Sequence, residues 1–221
     1  MPYVMPEARL AFFFSPKGGG TSLRAYLFHL ENGFAFRDYK VQGRQVDAND
    51  LVKNTRWKAF DKNSVQGFET FAVIRDPVRR FLSGYSNRVL HYRELSTEKA
   101  GETLREMDLP PDPDIDGFVE NFHSYKQASR NFRRHFWPQQ SFLGPDKGFY
   151  TGIYRLENIA ALVEDFNARF SFEAEMPRLQ AGGPKLKFED LRARTQERIL
   201  DLVRSDVAFE MHPAYGDSYA L

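Results

Sequence analysis

The sequence predicts an α/β domain with a central parallel sheet flanked by helices. Two observations carry that prediction. Strand-like apolar runs alternate with helical patterns along the chain, as in parallel sheets whose crossovers are helices. The two clearest runs, Leu10–Phe14 and Phe71–Ile74, each lead through a short turn carrying a cation into a helix start. Size agrees: 221 residues, 42% hydrophobic with 21 Phe, suffice for one domain over 1–221 with a full core.

In order, residues 10–15 read as a buried strand and 21–31 as an amphipathic helix. The mixed segment 34–60 allows a further strand near Trp57–Phe60. A strand over 70–75 is followed by a long helix over 77–93, with Asp76 as N-cap, Pro77 at the first helical position, and Val78, Phe81, Leu82 and Tyr85 on one apolar face. Residues 96–116 are charged and carry Pro110, Pro111 and Pro113, which predicts a loop, a candidate lid over an acceptor site. Helices are expected over 114–123 and 126–136, and a strand over Tyr150–Leu156. Asn158–Phe170 is amphipathic, with Ile159, Leu162, Val163, Phe166 and Phe170 on one face. Gln180–Pro184 reads as a turn. Asp190–Phe209 is helical in pattern, with Ile199, Leu202, Val203 and Asp206 in register.

Composition narrows the function. A net charge of +1 argues against a general nucleic-acid binder. No apolar run approaches the roughly 18–20 residues of a membrane span, and Met1–Leu10 lacks the layout of a signal peptide. With no cysteine, a soluble cytoplasmic protein of a bacterium is the expectation.

The chemistry concentrates at the two strand exits. Residues 15–22 read Ser-Pro-Lys-Gly-Gly-Gly-Thr-Ser. A turn without side chains lets backbone N–H groups approach a ligand closely, and the following helix N-terminus favours negative charge. Lys17 adds a mobile cation and Thr21 and Ser22 add hydroxyls. This is an oxyanion cradle for phosphate or sulfate; as a structural element alone it is a glycine-rich turn with a surface lysine. The lysine precedes the glycines, so the turn is not the P-loop of nucleotide triphosphatases, and it does not match the dinucleotide fingerprint. At the second exit, Arg75 stands beside a helix carrying Arg79, Arg80 and Ser83. A guanidinium fork beside a hydroxyl suits a phosphate, while Asp76 suits a cap and Arg80 a solvated cation.

Pro16-Lys17-Gly18-Gly19-Gly20-Thr21-Ser22 resembles the 5′-phosphosulfate loop of the sulfotransferases that use 3′-phosphoadenosine 5′-phosphosulfate (PAPS). Arg75-Asp76-Pro77-x-x-Arg80-x-x-Ser83-x-Tyr85 resembles their 3′-phosphate segment, in the form of the carbohydrate-type branch (sulfotransferase family 2) and its bacterial soluble members. Trp137–Leu143, Tyr154–Asn158 and the terminal stretch with Asp206 and Tyr215 resemble later segments of that branch. The run of three glycines departs from many relatives, which have a larger residue there. The resemblance implies a sulfotransferase fold like that of P-loop kinases, with PAPS as donor cosubstrate and no metal. It implies that Lys17, Gly18, Gly19, Gly20, Thr21, Ser22, Arg75 and Ser83 bind the donor, with Lys17 catalytic. The acceptor is then a hydroxyl or amine of a carbohydrate, lipid or small metabolite, with an anionic group as one option.

An acceptor hydroxyl also needs a general base. Of the five histidines, His135 beside Trp137-Pro138-Gln139-Gln140 is the first candidate. His91 and acidic residues stay open, His29 reads as structural and His212 as exposed. Arg130, Arg133 and Arg134, interleaved with Phe132, Phe136 and Trp137, form either an anionic acceptor site with aromatic stacking or simply a solvated cationic face. Two other functions remain to be separated from sulfuryl transfer: a nucleotide-dependent kinase, against which the lysine order counts, and a non-catalytic nucleotide binder of the same fold.

Overall fold

In Leu-Ala-Phe-Phe-Phe, alternate side chains face opposite sides of a strand. An all-apolar run therefore needs cover on both faces, and strand β2 (Leu10–Phe14) is fully buried. The computed structural model describes residues 2–179 and 182–219. They divide into two compact units that interleave along the chain: Met1–Arg75 with Gln139–Ala181, and Asp76–Pro138 with Gly182–Leu221.

The first unit holds a four-stranded sheet in the order β1-β2-β5-β6, comprising β1 (Tyr3–Met5), β2, β5 (Glu69–Ile74) and β6 (Gly152–Arg155). Strands β2, β5 and β6 run parallel, with Phe12 opposite Phe71 and Val73 opposite Tyr154. Strand β1 is an antiparallel edge that the sequence reading missed. Its three residues lie between Pro2 and Pro6, too few to show a period. On one face, Leu10, Phe12 and Phe14 pack with Leu23, Tyr26 and Leu27 of helix α1 (Gly20–Asn32) and with Leu162 and Phe166 of a later helix, Ile159–Phe170. The Phe166 ring meets Phe12 edge-on at 4.8 Å. On the other face, Phe13 meets Trp57, Phe60, Phe149 and Tyr150 at 5.3–6.0 Å.

The strand expected near Trp57–Phe60 is instead a 3₁₀ turn over Trp57–Ala59 whose rings cover Phe13. The strands of 34–60 are a separate hairpin, β3 (Tyr39–Val41) and β4 (Arg44–Val46). Gln42 and Gly43 at its tip both have positive φ, 49° and 79°, as two-residue hairpin turns require. A short helix α2 (Ala48–Leu51) follows, with Asp47 as its capping box.

The second unit is helical. Helix α3 (Pro77–Tyr85) starts as predicted, with the Asp76 carboxylate accepting from Arg79 N at 2.9 Å. The expected single helix over 77–93 changes at Ser86–His91 to π-helical winding, with Tyr92 N donating to Asn87 O at 2.9 Å. Residues 96–116, expected as a loop, contain helix α4 (Thr97–Glu106), which buries Leu104. The prolines after it end the helix but stay packed: Pro110 O accepts from Tyr125 Oη at 2.8 Å and Pro113 O from Tyr85 Oη at 2.9 Å. Over 114–136 the chain forms α5 (Ile115–Glu120), α6 (Phe122–Ala128) and α7 (Arg130–Arg134), broken at Ser129, which caps α7. Then come α8 (Gln140–Leu143) and α9 (Ile159–Phe170), both in the first unit, and α10 (Ala193–Val203), α11 (Ala208–Met211) and α12 (Pro213–Asp217) in the second. The helix expected over Asp190–Phe209 therefore ends at Val203, and Asp206 lies beyond it, accepting from Ala208 N at 3.1 Å. Of the turn expected at 180–184, Gln180 and Ala181 lie outside the described residues. The core of the second unit is aromatic: Phe118 is fully buried among Phe81, Tyr85, Phe122, Tyr125, Phe132 and Phe136.

Candidate functional site

In the first unit, β2 and β5 are parallel neighbours, so their carboxyl ends lie side by side. The chain leaves β2 at buried Ser15, and Gly18 N closes a turn onto Ser15 O at 3.0 Å. Lys17 within that turn has φ 65°, an uncommon conformation for a residue with a side chain. Arg75, leaving β5, donates from Nη1 to Lys17 O at 2.8 Å and so braces it. Gly19 has φ 76°, and a Cβ there would lie 2.5 Å from Leu156 Cδ1. A Cβ on Gly20 would lie 2.8 Å from the Phe14 ring. A larger residue at either position would move the loop or its neighbours, so the glycines are a packing requirement of this chain.

Helix α1 begins with no side-chain cap and no acidic residue in its first turn. Leu23 N bonds back to Gly19 O at 3.0 Å. The positive end of the α1 dipole therefore faces the turn, and the helix's own first turn carries no acidic residue. Helix α3, by contrast, begins under the Asp76 carboxylate. Of the two helix starts that follow the cationic turns, only that of α3 carries a side-chain cap.

Gln139 is fully buried and was overlooked in the sequence. Its Oε1 accepts from Arg75 N at 3.0 Å and from Ser15 Oγ at 3.4 Å, and its Nε2 donates to Arg75 O at 2.8 Å. One amide thus fixes the exits of both strands. Glu157 Oε1 lies 4.0 Å from Arg75 Nε. The hydroxyls have protein partners: Thr21 Oγ1 donates to Asn49 Oδ1 at 2.8 Å, and Ser22 Oγ accepts from Leu179 N at 3.0 Å.

Lys17, Gly18–Ser22 and Arg75 are thus gathered in one unit. Ser83 and His135 belong to the other: Ser83 sits half-buried on α3, and His135 follows α7, its N donating to Phe132 O at 3.0 Å. Arg80, expected to be solvated, is buried, hydrogen-bonded to Trp137 O and 4.0 Å from the buried Asp206 carboxylate. Asp76 has a second partner besides the helix start, Tyr219 Oη at 2.9 Å. The aromatic half of the proposed acceptor cluster is also corrected. Phe132 and Phe136 are core residues, while Arg130 and Arg134 are exposed. His212 is half-buried beside Tyr215, at 5.7 Å between ring centres, rather than exposed. His29 packs edge-on against Phe172 at 5.0 Å, as a structural histidine does.

Among the described residues, no helix is long and apolar enough to cross a membrane. No curated protein and no solved structure gives a significant match to the chain. One family model does, the sulfotransferase family, over residues 3–208. That span includes both strand exits, the glycine turn, Gln139 and the sheet that carries them. The chain, an α/β protein with a mixed sheet of parallel core strands, belongs to the sulfotransferase family.

Proposed function

We propose that the protein transfers a sulfuryl group from PAPS to a hydroxyl or amine of a carbohydrate, lipid or small metabolite. The observation that carries this reading is the start of α1: an uncapped helix N-terminus behind a glycine turn, with Lys17 on the turn and Arg75 bracing it. These residues fit a phosphosulfate. The turn carries no side chain from Gly18 to Gly20, and the first turn of α1 holds no acidic residue.

The donor, when bound, supplies an activated sulfuryl group whose departure leaves negative charge on a 5′-phosphate oxygen. N–H groups at the start of α1 hold the phosphate oxygens, while Gly18 spends its own N–H on closing the turn. Lys17 meets the charge that develops in the transition state, where a positioned cation accelerates most. Arg75 and Ser83 bind the 3′-phosphate and His135 takes the acceptor proton. Those assignments, and the requirement for no metal, rest on the family motifs. The acceptor class carries over from the carbohydrate-type resemblance.

Calorimetry with adenosine 3′,5′-bisphosphate and with ATP, each with and without magnesium, tests the donor. The bisphosphate is expected to bind without magnesium and far more tightly than ATP, because cationic and hydroxyl groups placed for a 3′-phosphate are left unpaired by a ligand that lacks one. Equal binding of ATP, or a strict need for magnesium, would turn the assignment towards a kinase.

A further inference from the structure

Arg24 is 3% exposed, yet none of its hydrogen-bond partners is a carboxylate. Its Nε donates to Val52 O at 2.8 Å, its Nη2 to Asn54 Oδ1 at 2.8 Å and its Nη1 to Asn49 Oδ1 at 3.4 Å. The guanidinium stacks on Phe14, 4.6 Å from the ring centre. Burial pushes it down to about 10, partly offset by the Asp47 carboxylate, so it stays charged at neutral pH. A cation buried among neutral oxygens is costly unless a negative charge compensates it. Asp47 compensates it only in part, and the position of the guanidinium shows where a further negative charge would be favoured. The site of a Cβ on Gly20 is 3.0 Å from Arg24 Nη1, and the Thr21 hydroxyl shares Asn49 Oδ1 with the guanidinium. The charge therefore lies directly behind the glycine turn.

We propose that Arg24 is a positioning residue that strengthens anion binding at the turn of Gly18–Ser22 from behind, without touching the anion. This rests on the reading of that turn as an anion site. Arg24 supplies fixed positive potential through the loop and, through Asn49, holds the Thr21 end of it. A purely structural role, tying α1 to residues 49–54, would use the same hydrogen bonds but would not depend on net charge.

The substitution Asn54→Asp separates the two roles. It keeps the size and the acceptor oxygen, and it places a carboxylate against the guanidinium. Binding of adenosine 3′,5′-bisphosphate and of inorganic sulfate is measured by calorimetry, with thermal unfolding in parallel. Asn54→Asp is expected to weaken both ligands about three- to tenfold, the scale of one unit charge acting through partly screened protein, with no loss of melting temperature. Asn54→Ser, which removes the amide and adds no charge, is expected to stay within about twofold of the parent. Arg24→Met is expected to lose affinity, and Arg24→Lys to recover most of it. Unchanged affinity in Asn54→Asp overturns the proposal, as does an equal loss in Asn54→Ser. A parent protein that binds neither ligand overturns the anion reading itself, and this inference with it.

Discussion

Gln139 illustrates how one side chain can stand in for a neighbouring strand. Its amide offers an acceptor to the N–H of Arg75 and a donor to the carbonyl of the same residue, the exchange that an adjacent backbone makes in a sheet. Gln139→Leu keeps the bulk but removes the amide that serves both part-buried groups. It is expected to cost about 1–3 kcal/mol in urea unfolding and to loosen the Arg75 brace on Lys17. Lys17→Ala acts on another quantity. Turnover is expected to fall on the order of 10²–10³-fold, while binding of the spent nucleotide changes little, because the charge it meets exists only during transfer. His135→Ala is expected to abolish most turnover with donor affinity unchanged; a variant with the parent pH–rate profile would make His135 structural. The glycine turn and Lys17 were legible because the residue types that build the turn are contiguous. Gln139 was not, since its partners are largely backbone atoms that no pattern records. Arg80 was misread because its carboxylate partner, Asp206, is far along the chain.

At the scale of elements, the two helix starts differ. Helix α1 begins with no side-chain cap, whereas α3 closes its own start with Asp76, a carboxylate that Tyr219 also holds. Asp76→Ala is expected to destabilise the protein by about 0.5–2 kcal/mol, the range for losing an N-cap, with the released Tyr219 hydroxyl adding to the loss. Chemical denaturation checks it; an unchanged midpoint would show that Pro77 alone starts α3. Strands β2 and β5 were visible as buried apolar runs and helices α1, α3 and α9 by their apolar faces, while β6, with no buried residue, was found by its place in the alternation of strands and helices. Strand β1 and helix α4 were not: β1 has three residues, and α4 commits only Leu104 to the core. The hairpin of β3 and β4 did leave a signal, Gln42-Gly43 between short alternating runs. Both of its strands are almost wholly exposed, so no apolar face drew attention to them.

At the scale of the whole molecule, each compact unit has its own aromatic core, and each takes residues from two separate stretches of chain. Burying so many rings explains how a chain with no disulfide can hold two cores of this size. The prediction of one α/β sheet described the first unit and underestimated the second, whose helices alternate with loops rather than with strands.

That interleaving imposes a schedule on synthesis. Strand β5 leaves the ribosome well before β6, its parallel partner, because residues 76–138 are made in between. At about 5–20 residues per second the gap lasts several seconds, and through it β5 presents a bare apolar edge, the kind that pairs with other chains. The first unit is complete only once residue 181 has been made, and the second only at residue 221. A chain stopped at residue 150 is therefore expected to be recovered in aggregates to a greater extent than the full chain. A soluble, cooperatively unfolding fragment would show that β1, β2 and β5 can wait for β6 unaided.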